Sequence, residues 1–202
     1  MIRHSFVLNK VLQTYSLLPY IKFPLNPKYI IDMMPNCRIM TYQDFASLNN
    51  CTINDVETLC ESSTGCTHYD LENDRYLVLY NTSYDYYNEG RQRWTLSHEL
   101  GHIVCDHLKS KAINHIPEGR DWKLDTSGFE SEADLFTAQL LAPFPLFEIL
   151  DIHSASDIQF CFGLSVEASK IRYKQYIKWK QGHIKTAWEN DMRAIFNYKR
   201  IR

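Results

Sequence analysis

Along most of the chain, apolar side chains recur every three or four positions with polar side chains between them. This spacing is typical of amphipathic helices, which bury one face and expose the other. Individual residues mark where several of these helices begin or end. Pro27 suits the first turn of a helix, Thr52 suits a helix N-cap, and Pro143 ends a helix. The predicted helices cover residues 6–18, 27–34, 42–48, 53–60, 91–109, 129–142, 144–150, 154–162, 165–181 and 184–197.

Three short segments have the apolar and β-branched character of strands instead, at 37–41, 65–69 and 75–81. The last two flank the polar turn at 70–74, so they predict a β-hairpin. Residues 110–127 are predicted to be a loop. With few strands, many helices and no alternating βα units, the pattern predicts an α+β fold with a small three-stranded sheet packed on helices.

Composition narrows the class of protein. With 202 residues, 45% of them apolar and 23% charged, the chain is long enough for one packed core and an appendage. Its six cysteines form no CxxC pair, so we interpret them as reduced, mostly buried thiols; a structural site using Cys60 and Cys66 is the weaker alternative. The first 24 residues have a helical period rather than that of a signal peptide, and no stretch is long enough to span a membrane. We therefore expect a soluble, cytoplasmic protein without a membrane partner.

The most specific chemical feature is the sequence HELGH at residues 98–102. On a helix, His98 and His102 project from the same face, and Glu99 lies one step round from them. This HExxH motif suits a zinc ion that is bound by the two imidazoles, with Glu99 beside it as the general base. The alternative interpretation is a surface helix with two solvated histidines.

A zinc ion in a hydrolase normally takes a third protein ligand. The helix predicted at 129–142 offers three acidic residues, of which Glu130 and Asp134 share a face while Glu132 points elsewhere. We predict Glu130 as the third ligand, Asp134 as the carboxylate that orients a ligand histidine, and Glu132 as the reserve ligand. The alternative is an acidic first turn favoured by the helix dipole, which does not explain Asp134 one turn deeper.

Two further expectations concern the surroundings of this motif. If the helix continues to residue 109, His107 lies about 140° round the axis from His102, so we interpret it as a helix-end histidine. Stabilisation of an oxyanion calls for a further donor, for which the tyrosine-rich loop at 84–87 and His115 are candidates. The spacing does not choose between them.

Two longer motifs resemble the ImmA/IrrE family of bacterial metallopeptidases. The segment RQRWTLSHELGHIVCDHL at 91–108 resembles the family's R-x-x-x-T/S-x-x-H-E-x-x-H helix, which follows a strand ending in Asn, here Asn81. The segment FESEADLFTAQLLAP at 129–143 resembles its second motif, E-x-x-A-N/D-x-F-A-x-x-L-L-x-P. The departures are Thr137 in place of Ala and Ala142 in place of Met; neither is predicted to contact the metal, so they bear on substrate fit.

The resemblance implies a zincin-like peptidase core in which His98, His102 and Glu130 bind Zn²⁺ and Glu99 is the general base. It also implies a regulatory endopeptidase that cleaves a partner protein, namely a helix-turn-helix repressor of a phage or mobile element. Mn²⁺ and Fe²⁺ are alternative metals, because the same donors accept them. The alternative functions are a non-proteolytic binding module and the toxin of a toxin–antitoxin pair.

The C-terminal part of the chain is basic. Residues 161–202 carry ten Lys and Arg against three Asp and Glu, although the net charge of the whole chain is −2. A turn at Gly163 and a possible cap at Ser165 join two predicted helices in an outline similar to a helix-turn-helix. The second helix carries a lysine face with interleaved aromatic residues: Lys170, Lys174 and Lys178 with Tyr173, Tyr176 and Trp179.

For this basic part we favour a packed helical hairpin with a solvated lysine face over a nucleic-acid-binding module. A third interpretation is a surface that binds an acidic repressor. The sequence thus predicts a peptidase domain at 1–150 and a basic helical region at 151–202, and it leaves the oligomeric state open.

Overall fold

The computed structural model describes residues 2–83, 88–109, 115–117, 127–182 and 185–200, with the backbone alone at 115–117 and at Ser127. The chain forms two compact units. One comprises Met1–Ile2 and Asn26–Asp134, and the other comprises Arg3–Leu25 and Leu135–Arg202. The division predicted at residue 150 separates a peptidase domain from a basic region by function. It is not a boundary between compact units, and it stays a prediction.

The first unit contains a small mixed sheet. Its described strands are β1 (Cys37–Thr41), β2 (Gly65–Asp70), β3 (Arg75–Tyr80) and β4 (His115–Pro117), in the order β1-β3-β2-β4. Strand β1 runs parallel to β3, while β2 is antiparallel to both β3 and β4. The α+β class with a small sheet is confirmed. The prediction of an uninterrupted loop at 110–127 is wrong, because three residues of it form β4, a strand too short to give a period of two.

The first unit also contains helices, most of which begin at a capping side chain. They are α2 (Pro27–Asp32), α3 (Tyr42–Asn49), α4 (Ile53–Cys60), α5 (Glu89–Val104) and the first part of α6 (Ser127–Leu141). The side chains of Asn26, Thr41, Thr52 and Asn88 each accept a hydrogen bond from a backbone N–H in the first turn of α2, α3, α4 and α5, respectively. Such caps satisfy backbone donors that a helix start leaves unpaired.

The two faces of β2 meet different helices. Thr67 contacts α5 through Glu99, whereas Cys66 packs with Tyr42 of α3 and Val56 of α4 in an apolar cluster. Successive side chains of a strand point to opposite faces. Strand β2 therefore lies between the HExxH helix on one side and the α3–α4 pair on the other.

Asn81, which directly follows β3, has a structural role. Its side-chain amide donates hydrogen bonds to Glu57 Oε1 at 2.9 Å and to the Ser63 carbonyl at 3.0 Å, and its Oδ1 accepts one from the Ser83 amide at 2.9 Å. These bonds tie the end of β3 to the connection that leads into β2.

The second unit is helical in the part that the structure describes. It contains α1 (His4–Leu17), the remainder of α6, a 3₁₀ turn at Phe144–Leu146, α7 (Ala155–Phe162), α8 (Val166–Gln181) and α9 (Ala187–Lys199). In place of the helix predicted at 144–150, the structure has that 3₁₀ turn followed by non-helical turn residues at 147–150. The segment ends at Asp151, which has a left-handed backbone (φ 57°).

The aromatic residues of α8 pack inside this unit. Tyr176 is buried against Phe147, with ring centroids 4.8 Å apart, and the Arg172 guanidinium lies over the Phe144 ring at 3.6 Å. Both Nε and Nη2 of Arg172 donate to the Ala142 carbonyl. Lys170, Lys174 and Lys178 are exposed. None of the described helices combines the length and hydrophobicity that crossing a membrane requires.

Candidate metal centre

Helix α5 presents the HExxH residues from a fully buried stretch. Residues from Thr95 to Ile103 are all buried, with His98 3%, Glu99 0% and His102 1% exposed. The interpretation of two solvated histidines on a surface helix is therefore wrong. One turn of helix separates the two imidazoles, and their Nε2 atoms lie 3.0 Å apart.

Helix α6 brings a carboxylate to the same point. Glu130 Oε2 lies 3.2 Å from His98 Nε2, and Glu130 Oε1 lies 3.5 Å from His102 Nε2. Two helices whose ligands His102 and Glu130 are 28 positions apart in the chain thus supply two imidazole nitrogens and one carboxylate within 4.8 Å of one another. Glu130 is the predicted third ligand, and the structure brings it to the histidine pair.

Asp134 lies one turn after Glu130 and contacts the far nitrogen of His98. Its Oδ1 is 3.2 Å from His98 Nδ1. Burial lowers the pKa of His98, but hydrogen bonds with Asp134 and Glu130 outweigh it and raise the pKa to about 10. Burial, with the nearby His98 and His107, lowers the pKa of His102 well below its ordinary value. The two rings therefore have unequal proton affinities, with the carboxylates gathered around His98.

The structure corrects the predicted position of His107. Helix α5 ends at Val104, five residues earlier than predicted, and Asp106 adopts a left-handed backbone with φ 57°. The chain turns back there, and the His107 amide donates to the His102 carbonyl at 3.1 Å. His107 Nδ1 consequently lies 3.0 Å from His102 Nδ1 instead of pointing away round a continuous helix.

Glu132, the predicted reserve ligand, takes a different place. Its Oε2 lies 3.1 Å from His107 Nε2, and both side chains are buried. A carboxylate accepts, so His107 donates from Nε2; its Nδ1 then accepts from the Nδ1–H of His102. This order of protons leaves the Nε2 lone pair of His102 facing His98 and Glu130. Sequence reasoning missed this role, because it assumed that the helix continued past His107.

Glu99 faces the sheet through Thr67 of β2. The Thr67 hydroxyl donates to Glu99 Oε2 at 2.5 Å, and both residues are buried. A charge-assisted hydrogen bond of this kind holds one carboxylate oxygen in a fixed direction. The sequence offered no signal for Thr67, since nothing in it predicts which strand residue meets the helix. The oxyanion candidates at 84–87 and the side chain of His115 lie outside the described residues.

The donor group fits a zinc ion. Bonds of about 2.0–2.2 Å in tetrahedral geometry place ligand atoms about 3.3–3.6 Å apart. Here the two Nε2 atoms are 3.0 Å apart, and a Glu130 oxygen lies 3.2 Å from that of His98 (Oε2) and 3.5 Å from that of His102 (Oε1). Two imidazoles and a carboxylate are a ligand set of catalytic zinc sites. Each imidazole also has a partner on its other nitrogen, Asp134 for His98 and His107 for His102, as metal-bound histidines normally do.

Comparison with known proteins agrees with this geometry. Residues 61–174 match the family model of the peptidase M78, IrrE N-terminal-like domain. None of the curated proteins matches the chain. Because the match covers more than half of the sequence and includes both motif helices, the chain belongs to this family of metallopeptidases, the ImmA/IrrE family.

Proposed function

We propose that this protein is a zinc-dependent endopeptidase. The observation that carries the proposal is the meeting of His98 Nε2, His102 Nε2 and a Glu130 carboxylate from two helices, with Glu99 next to them on α5. Three protein donors leave one tetrahedral position for solvent or substrate, which is the arrangement of a catalytic zinc site rather than of a structural one. Membership of a metallopeptidase family supports the same reaction.

Each residue of the site has a distinct role in the proposed reaction. Zinc, when bound by His98, His102 and Glu130, supplies Lewis acidity that polarises a peptide carbonyl and makes water a better nucleophile. Glu99 accepts the proton of the attacking water at its carboxylate and passes it to the leaving amine. Thr67 keeps that carboxylate oriented by its hydrogen bond to Oε2.

His107 and Glu132 act as positioning residues in this proposal. The buried chain from Glu132 through His107 to His102 fixes the tautomer in which His102 Nε2 is unprotonated. Asp134 lies 3.2 Å from Nδ1 of His98 and so positions that ring from the other side. Partners of this kind typically contribute about 10–100-fold to metal affinity.

For the substrate we propose a helix-turn-helix repressor of a phage or mobile element, which is what the family resemblance implies. An extended peptide segment can pair with a sheet edge, and β4 forms the edge beside β2 among the described strands. We place the activity in the cytoplasm. Support comes from the six cysteines, which are free thiols and suit a reducing compartment.

Co-expression with the product of the adjacent reading frame, followed by intact-mass spectrometry, tests the proposal. The wild type is expected to cut the partner at one site, and Glu99→Gln is expected to lower the rate roughly 10²–10⁴-fold while it retains the metal. Glu89→Gln is the matched control, because Glu89 lies on the same helix with a side chain 74% exposed. Cleavage by Glu99→Gln at the wild-type rate would refute the assigned base. An intact partner whose repression is relieved equally by both variants would instead indicate a non-proteolytic binding module.

A further inference from the structure

A second group of metal-binding side chains lies on the opposite face of β2. Cys66 and His68 are two residues apart on this strand, so they share a face, while Thr67 between them points to α5. Cys60 is the last residue of α4. The two sulfurs and one imidazole nitrogen lie within 4.8 Å of one another.

The connection from α4 to β2 positions Cys60 near Cys66 through contacts that do not involve the sulfur or imidazole atoms. Helix α4 ends in a left-handed residue, Glu61 (φ 48°), which turns the chain. Ser62 Oγ then accepts hydrogen bonds from the amides of Thr64 and Gly65, each at 3.2 Å. A side chain at Gly65 would meet Thr95 Cγ2 at 2.6 Å, so glycine is required where the strand passes α5. The backbone therefore holds Cys60 near Cys66 through contacts of its own.

The surroundings favour a metal over a solvated thiol pair. Both cysteines are fully buried, in an apolar cluster with Tyr42, Val56 and Leu79. The three ligand atoms nevertheless face one another, since all of them lie within 4.8 Å. Burying polar donors in apolar surroundings is costly unless they are satisfied together.

We propose that Cys60, Cys66 and His68 bind a soft d¹⁰ metal ion, Zn²⁺ or Cu⁺, at a second site distinct from the His98 group. Thiolate and imidazole ligands select such ions over Mg²⁺ or Ca²⁺. The imidazole distinguishes the group from a pair of cysteines poised for a disulfide. Three donors complete a trigonal Cu⁺ site, and they complete a tetrahedral Zn²⁺ site when solvent provides the fourth ligand.

Cobalt substitution gives a sulfur-specific test. The reduced, metal-free full chain is titrated with Co²⁺ under anaerobic conditions, and thiolate-to-cobalt charge-transfer absorption is followed in the near ultraviolet. The His98 group contains no sulfur, so its occupancy does not produce this band. The wild type is expected to show a band with the intensity of one thiolate-bound Co²⁺, and this band saturates by two equivalents because the His98 group also binds the ion. Cys60→Ala and Cys66→Ala are expected to lose the band. Cys51→Ala is the matched control, because Cys51 packs against the same apolar cluster outside the donor group.

A second experiment, with Cu⁺, distinguishes between the two candidate ions. Under reducing conditions the chain competes with a chromophoric Cu⁺ chelator, and retention by the wild type but not by Cys60→Ala identifies a Cu⁺ site. His68→Ala keeps both buried thiols, so it tests the site even if the cysteine variants do not fold; it is expected to weaken binding in whichever arm is positive. The proposal is overturned if the wild type gives no charge-transfer band and retains no more Cu⁺ than Cys60→Ala, or if the band survives in Cys66→Ala.

Discussion

The two donor groups on either side of β2 have similar dimensions and different chemistry. Each gathers three ligand atoms within 4.8 Å. Around the His98 group lie further charged and polar side chains, namely Glu99, Asp134 and His107. The described neighbours of the Cys60 group are mainly apolar. The His98 group therefore has the base and the oriented ligands that a water-activating metal needs, whereas the Cys60 group offers soft thiolate donors in apolar surroundings.

Matched deletions in the two groups should have the largest and most different effects. His102→Ala is expected to remove one metal equivalent and abolish cleavage, whereas Cys66→Ala is expected to remove the other equivalent and leave cleavage at the wild-type level. Metal analysis of the purified variants, together with the cleavage assay, measures both effects. Loss of both metals in either single variant, with the fold intact by circular dichroism, would show that the two groups are not separate sites.

The positioning residues sharpen the contrast, because the His98 group depends on outer partners. His107→Ala is expected to weaken metal binding about 10–100-fold, since His102 loses the acceptor that fixes its tautomer. Glu132→Gln is expected to have a smaller effect in the same direction. Competition with a chelator measures affinity, and the d–d spectrum of the Co²⁺ form reports ligand geometry, which a purely structural role would leave unchanged.

The control for this pair is His153→Ala. His153 pairs with Asp151 at 2.7 Å, but both side chains are exposed, so its loss should leave metal affinity unchanged. Equal metal affinity for His107→Ala and His153→Ala would remove the positioning role from His107.

Thr67 should give a smaller effect than removal of a metal ligand, and one confined to catalysis. Thr67→Val keeps the shape of the side chain and removes the donor to Glu99 Oε2. A hydrogen bond to a charged group contributes about 1.5–3 kcal/mol, so we expect kcat to fall roughly 10–100-fold, with KM and metal content unchanged. Thr67→Ser retains the hydroxyl and should restore most of the rate. A change confined to KM would place Thr67 in substrate binding instead.

How far the sequence predicts this site depends on how local each contact is. His98, Glu99 and His102 follow from the helical period alone, and the i, i+4 spacing of Glu130 and Asp134 correctly placed them on one face. The end of α5 was beyond that reasoning. The helix ends where Asp106 adopts a left-handed conformation. Gly or Asn usually marks such a position, and this one is Asp, so the contact between His107 and His102 could not be predicted.

The Cys60 group shows the same limit for contacts between different elements. Five residues separate Cys60 from Cys66, a spacing that is not typical of zinc knuckles. The donors meet because a helix C-terminus, a hydrogen-bonded Ser62 turn and a strand register act together. The short strand β4 was missed for a related reason, since it is defined by pairing with β2 rather than by its own pattern.

Anomalous diffraction at the zinc absorption edge, from crystals of the full chain grown with zinc, tests the central claim most directly. We expect a peak within bonding distance of His98 Nε2, His102 Nε2 and a Glu130 oxygen, with Asp134 and His107 still on the outer nitrogens. A zinc-loaded crystal with no peak between these three side chains, or with Glu130 turned away from the metal, would contradict the account.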